Sequence, residues 1–212
     1  MKFLTRIVYE IIRWPLLLIW RLLGWRVESQ LPDVPKVVVV AAPHTSNWDY
    51  FFALLAANAL RRRLNVTVKH TLFFPPLGWI LTALGGVPIN REKPGKIVDK
   101  IASKIQEADR MMMVFTPEGT RSKREYWKTG FYWTALKAGV PIVSAAPNYR
   151  DKVVYFSEAI YPTGDIEADF EIIKAHQEAY GYGLYPERAN DLKLQPRREK
   201  TSTEENGEKV TA

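Results

Sequence analysis

A chain of 212 residues, 47% of them hydrophobic, can build one α/β domain with a real core and is too short for two ordinary ones. It contains no cysteine, which excludes disulfides, thiolate catalysis and cysteine-ligated metals. A net charge of +7 asks for an anionic partner: a nucleic acid, an acidic substrate or an anionic membrane.

The N-terminal segment narrows that choice. Residues 1–27 hold Lys2, Arg6, Arg13, Arg21 and Arg26 against the single acid Glu10, in a background of Ile, Leu and Trp. Basic, apolar and Trp-bearing composition suits a lipid headgroup layer better than a nucleic acid. The longest uncharged run, Trp14 to Trp20, is far below the roughly 20 apolar residues a membrane span needs. Charges at Glu10, Arg13 and Arg21, with no small-residue cleavage site after them, also argue against a signal peptide. Pro15 is expected to break or kink the segment into two short amphipathic helices, with Trp14, Trp20 and Trp25 at interface depth. The competing reading is a helical hairpin packed on the core of a soluble protein.

After a turn at Leu31 to Pro35, the β-branched run Lys36 to Ala42 reads as a buried strand that Pro43 ends. A helix is expected over Trp48–Arg63 and a short strand over Val66–Lys69. Phe73 to Leu84, with Pro75, Pro76 and Gly78, is mixed and holds a short helix. Gly86–Asn90 reads as a strand, Lys96–Ala108 as an amphipathic helix and Met111–Thr116 as a buried strand. A loop from Pro117 to Trp127 leads to a helix over Thr129–Ala138, with Gly139 as its stop. Strands near Val140–Ala146 and Val153–Ile160 and a late helix from Gly164 to Tyr180 complete the domain. This alternation predicts an α/β fold, a single-domain mixed β-sheet flanked by helices, with an N-terminal amphipathic helical hairpin. The expected division is a hairpin at 1–27, a globular domain at 28–194 and a charged, disordered tail at 195–212.

Three segments carry chemistry. In Ala42-Pro-His44-Thr-Ser-Asn-Trp-Asp49, a histidine stands just past a buried strand at the mouth of a helix, with an aspartate five positions on. Histidine is the side chain best suited to take a proton at neutral pH, and a carboxylate on its far nitrogen would fix the tautomer and stabilise the imidazolium. A structural histidine beside a helix-capping aspartate is the bland alternative. The segment Pro117-Glu118-Gly119-Thr120-Arg121-Ser122 follows another buried strand, where α/β proteins place their sites. It offers a glycine for close backbone approach, hydroxyls, and an arginine that can grip phosphate oxygens. In Gly85 to Arg91, a second arginine follows a strand, either as a phosphate contact or as a solvated charge. His70 borders an apolar stretch, and His176 is expected to be solvated on a polar helix. His44 and Asp49 find no third ligand at metal-binding spacing. Trp127, Tyr132 and Trp133, near the same loop, suit the wall of an apolar groove or the core.

Taken in order, His44-x-x-x-x-Asp49, Gly85 to Arg91, Pro117-Glu-Gly-Thr-Arg121 and Val140-Pro-Ile142 resemble the four motif blocks of the glycerolipid acyltransferases, the lysophosphatidic-acid acyltransferase family. The match covers residues 36–146, about half the chain. The resemblance makes 28–194 an acyltransferase domain. It implies that His44 is the general base for the acceptor hydroxyl and Asp49 its orienting partner. It also implies that Arg91 and Arg121 contact the acceptor phosphate, with Lys69 near it, and that Glu118, Gly119 and Thr120 shape the acceptor pocket. Pro141 would line the acyl or acceptor site. The implied reaction moves a fatty acyl chain from acyl-CoA or acyl carrier protein to a lysophospholipid such as 1-acylglycerol-3-phosphate. No metal and no organic cofactor are implied. The implied setting is peripheral or monotopic attachment to membrane lipids on the cytoplasmic face. Thr116, where many members have phenylalanine, and the bulky Asn47-Trp48 depart from the common form, and both bear on the acceptor. Another lipid hydroxyl as acceptor, or a catalytically idle lipid-presenting module, are the alternatives. A nucleic-acid partner is not expected, because Arg61-Arg62-Arg63 is the only basic run in the domain and a solvated helix end accounts for it.

Overall fold

The computed structural model describes residues 13–29, 31, 33–90 and 95–196. Its elements are α1, helical over the described residues 13–22, then β1 (Arg26–Ser29), β2 (Lys36–Ala41), α2 (Trp48–Ala59), β3 (Leu64–Lys69), α3 (Leu77–Ala83), β4 (Gly86–Ile89), α4 (Gly95–Glu107), β5 (Met111–Phe115), α5 (Gly130–Ala138), β6 (Ile142–Asn148), β7 (Val153–Phe156) and α6 (Ile166–Tyr180).

The sheet is built around β2. Its four valines point alternately to the two faces, and all four are buried, so helices must cover both sides. Val38 and Val40 pack with Ile101 and Ile105 of α4, Phe131 and Ala135 of α5, and Phe170 and Ile173 of α6. Val37 and Val39 pack on the other face with Trp20 of α1 and Leu55 and Ala56 of α2. Burying each such aliphatic side chain stabilises the fold by about 1.5–3 kcal/mol, so the long apolar run at the centre is what selects a three-layer sandwich. Ile97, Ile101 and Ile105, spaced by four, supply the core-facing stripe of α4. Gly139 closes α5 in the left-handed region at φ 67°, which only glycine enters at little cost.

The seven strands lie in the order β1-β7-β6-β2-β5-β3-β4. All neighbours are parallel except β6 and β7. Registers such as Val40 against Phe115, and Ala41 against Ala145, bring the C-terminal ends of β2, β5 and β6 level with one another. The loops that leave those ends therefore meet along one edge, the usual place for a site in an open parallel sheet.

Several expectations are corrected. Helix α1 runs through Pro15 without interruption over the described residues, so the chain is not broken there. Trp20 and Trp25 are not surface anchors: both are buried, and Trp25 stacks at 4.4 Å on Phe52 and meets the edge of Tyr149 at 5.0 Å. Trp14 alone of the three is exposed. Residues 1–12, which hold the rest of the expected hairpin, and the tail from 197 lie outside the described residues. The edge strand β1 was not expected; Arg26-Val-Glu-Ser29 has one apolar side chain and gains its place by pairing with β7. Helix α2 stops at Ala59 rather than Arg63, because Arg61 turns into the left-handed region at φ 54° and β3 begins at Leu64. His176 is half-buried rather than solvated, bonded through Nδ1 to the Ser144 hydroxyl at 3.0 Å.

Candidate active site at the C-terminal edge of the sheet

His44 stands three residues past the end of β2, and Asp49 occupies the first turn of α2. The helix N-terminus favours a carboxylate at that point. One carboxylate oxygen of Asp49 gathers the whole loop. Its Oδ2 accepts the backbone N–H of Thr45 at 2.8 Å and of Ser46 at 2.9 Å, and faces His44 Nδ1 at 2.9 Å. The other oxygen, Oδ1, accepts the Tyr149 hydroxyl at 2.5 Å. Burial would raise the Asp49 carboxyl, but the bonds from His44, Tyr149 and Ser46 outweigh it and hold the group below its ordinary value. Asp49 is thus a fixed anion. A carboxylate partner assigns the ring proton of His44 to Nδ1 and leaves the Nε2 lone pair free.

Glu118 joins this loop to the one that follows β5. Its Oε2 accepts the His44 backbone N–H at 2.7 Å, and the carboxylate also takes the backbone N–H of Asn190. It is 3% exposed. Burial pushes its carboxyl up to about 8; the two backbone donors act against this rise, and the nearby charge of Asp49 adds to it. Gly119 sits at φ 65°, with its N–H on Thr116 O at 3.0 Å, and a Cβ there would stand 2.8 Å from Lys128 Nζ. The left-handed turn favours glycine, while the lysine tip could move aside. Arg121 reaches across to the Asn47 side chain, which ties the second loop to the first a second time.

A cavity of about 1100 Å³ opens against these loops. His44, Asp49, Gly119, Thr120, Arg121 and Tyr149 line one part, and mostly apolar residues from the sheet and from α2, α3, α4 and α5 line the rest. A second, polar cavity of about 690 Å³ lies between Thr45–Trp48, Arg121–Lys123 and Tyr185–Arg188. Arg121 lines both cavities.

The fold therefore brings together His44, Asp49, Glu118, Gly119, Thr120 and Arg121. Glu118 lines neither cavity; its carboxylate is engaged with backbone donors behind the loops. Lys69 is exposed at the end of β3 and also lines neither cavity. Arg91 lies outside the described residues. Pro141 precedes β6 and offers its carbonyl to Val38 N–H, which sets it at the N-terminal end of the strands, opposite the site. Trp127 and Tyr132 are core residues.

Two contributors escaped the sequence. Tyr149 follows β6 and is 100 residues from Asp49 in the chain; the parallel pairing of β6 with β2 delivers it. Residues 181–190 brace the histidine loop from behind. There Tyr185 N–H bonds Thr45 Oγ1 at 3.2 Å, and Gly183 approaches Thr45 so closely that a Cβ would stand 2.8 Å from it.

Comparisons with known proteins bear on the family and the fold. Residues 26–147 match the family model described as Acyltransferase. The 1-acyl-sn-glycerol-3-phosphate acyltransferase of Haemophilus influenzae is 27% identical over 134 residues, which cover 59% of this chain and 55% of that relative. The chloroplastic 1-acyl-sn-glycerol-3-phosphate acyltransferase BAT2 of Brassica napus is 29% identical over 159 residues, covering 72% of this chain and 44% of the relative. The chain thus spans about half the length of the curated relatives it matches. The crystal structure of the 1-acyl-sn-glycerophosphate (LPA) acyltransferase PlsC from Thermotoga maritima shares the fold, with a TM-score of 0.61 over 82% of this chain and 80% of that one at 19% identity. With the family model spanning more than half of its length and the motif blocks inside that span, the chain belongs to the glycerolipid acyltransferase family.

Proposed function

We propose that this protein is a membrane-surface O-acyltransferase that moves a fatty acyl chain from acyl-CoA or acyl carrier protein to the hydroxyl of a lysophospholipid such as 1-acylglycerol-3-phosphate. The observation that carries the reading is a His44–Asp49 pair on the wall of a large apolar cavity, with Arg121 at the junction to a polar one.

In this mechanism His44 Nε2 takes the proton of the acceptor hydroxyl as its oxygen attacks the thioester carbonyl. The new C–O bond forms, the C–S bond breaks, and the imidazolium returns the proton to the departing thiolate. Thioester and alcohol become ester and thiol, with no net change in protons. Asp49 is ionised throughout and stabilises the imidazolium. Tyr149 and the backbone N–H groups of Thr45 and Ser46 hold Asp49 still, so little reorganisation accompanies proton transfer. Glu118 fixes the backbone of His44 itself. Arg121 takes the acceptor phosphate, and Arg91, two residues past β4, is given the second phosphate contact by the resemblance. Lys69 is left out of the mechanism on its position.

A surface location suits both the substrates and the chain. Moving a lipid through water costs about 0.8 kcal/mol per CH₂. On α1, Trp14, Leu18 and Leu22 are spaced by four and all exposed, which is an apolar stripe on one helix face. No helix among the described residues is long and apolar enough to cross a membrane. Thioester donors of this kind place the site on the cytoplasmic face.

The test is thiol release from palmitoyl-CoA by detergent-purified protein, with and without lysophosphatidic acid, beside His44→Ala. Release should need the acceptor and fall about 10³-fold or more in the variant. No release with any of a panel of lysolipids, using both CoA and carrier-protein donors, would sink the reading.

A further inference from the structure

The segment 70–84 carries an apolar surface that the site does not use. Phe74, Trp79 and Ile80 are more than half exposed, and Trp79 reaches 72%. Contiguous exposed aromatic and aliphatic side chains of this size on a soluble face mark a contact surface. None of these three lines a cavity. Their neighbours do: Leu72, Leu81 and Leu84 line the apolar cavity, and Leu72 and Leu84 are also exposed large apolar residues. Leu72 and Leu84 line the cavity and are themselves exposed, so the cavity wall reaches the surface at both ends of α3, beside the exposed patch in the chain.

The surface is seated firmly. Gly78 packs against the backbone of Phe73 so tightly that a Cβ would stand 2.8 Å from it. At the other end of α3, Arg63 donates to Thr82 O at 2.9 Å and the Tyr50 hydroxyl donates to Leu84 O at 3.2 Å. The patch is thus a fixed feature and not a frayed turn. Its flanks are basic. Arg61 and Arg63 stand exposed just before β3, with Arg63 on the Thr82 carbonyl of α3, and Lys69 stands exposed at the other end. Apolar side chains ringed by cations complement an anionic bilayer, whose acyl region takes the aromatic residues and whose phosphates take the basic ones.

We propose that α3 and the turn before it form a membrane-inserting lip around the mouth of the apolar cavity, separate from α1, through which an acyl chain passes between the bilayer and the cavity without entering water. The occupant is the hydrocarbon of an anionic lipid bilayer. The lip rests on the acyltransferase reading for its purpose, but its contact with lipid is measurable without any turnover.

The absence of cysteine permits a direct test. Trp79→Cys gives a single thiol for an environment-sensitive fluorophore, and Glu171→Cys, exposed on α6, gives the control. Added to phosphatidylcholine vesicles containing phosphatidylglycerol, the full chain labelled at 79 should shift its emission to the blue and be quenched by brominated acyl chains. The label at 171 should do neither. A label at 79 that stays in water on vesicle-bound protein, or a chain that does not bind these vesicles, overturns the proposal. A label that responds instead to rising protein concentration assigns the surface to a second copy and overturns it too. Trp79→Glu/Ile80→Glu provides the second arm. It should lower kcat/KM about tenfold on vesicle-embedded lysolipid and leave a short-chain, water-soluble acceptor unaffected. Equal loss on both acceptors marks a merely structural role and rejects the lip. If no acceptor is turned over by the parent chain, the acyltransferase reading fails, and the fluorescence still decides the lip.

Discussion

Two parts of the sheet edge are built on opposite principles. Around β2, β5 and β6, polar groups tie the loops together: Asp49 alone holds His44, Thr45, Ser46 and Tyr149, and Glu118 spans two loops. In the outer limb formed by β3, α3 and β4, apolar side chains face outward and the polar contacts serve to seat the helix. Fixed geometry in the first region suits the proton transfer proposed for it, which tolerates little displacement between base and hydroxyl. The second needs a surface that hydrocarbon wets. Rigid polar chemistry and an apolar entrance thus occupy neighbouring strands of one sheet without sharing residues.

Substitutions that break the polar side should have the largest effects. Asp49→Asn keeps the shape but replaces the anion and can favour the wrong ring tautomer, so kcat should fall about 10²–10⁴-fold with KM little changed; steady-state kinetics beside circular dichroism checks this. Tyr149→Phe removes one donor from Asp49 and leaves the rest of the loop intact. We expect kcat to fall about tenfold. Tyr149 helps to hold the Asp49 carboxyl below its ordinary value, so its loss should let that carboxyl rise and take up its proton at higher pH. The acid limb of the pH–rate profile should therefore move to higher pH, a shift that a purely packing role for Tyr149 would not produce.

Glu118→Gln sharpens the contrast through stability. The folded state raises this carboxyl from 4.5 to about 8, so between those values the native protein keeps a proton that the unfolded chain has lost. Stability is fully present below the unfolded value and is lost as pH rises through the window towards about 8. Glutamine cannot titrate, so the difference between parent and variant in urea midpoint should change across that window and level off above it. The smallest effect belongs to the limb. Trp79→Ala removes a side chain that is 72% exposed, and it should change unfolding stability by less than about 0.5 kcal/mol in thermal denaturation without vesicles.

What the sequence shows and hides follows the same division between local and long-range. The run Val37–Val40 reads as a central strand because burial on both faces leaves no other pattern. His44 and Asp49 can be paired by eye because one turn of chain separates them. Tyr149 cannot, since only the register of β6 beside β2 brings it there. Pro141 was misplaced for the related reason that its motif block opens β6 rather than closing it, and a linear string does not say which end of a strand faces the site. Trp20 and Trp25 are ambiguous on physical grounds: an apolar, basic segment offers the same residues to a bilayer and to a core, and only folding sets Trp25 against Phe52 and Tyr149, and Trp20 against Trp25.

The outer limb joins the sheet only where β3 pairs with β5, over Leu64, Asn65 and Val66. It supplies Leu72, Leu81 and Leu84 to the cavity wall, yet none of the hydrogen bonds described for His44 or Asp49 originates in it. A change in the length or side chains of this limb would therefore reshape the cavity wall while leaving every described partner of His44 and Asp49 in place.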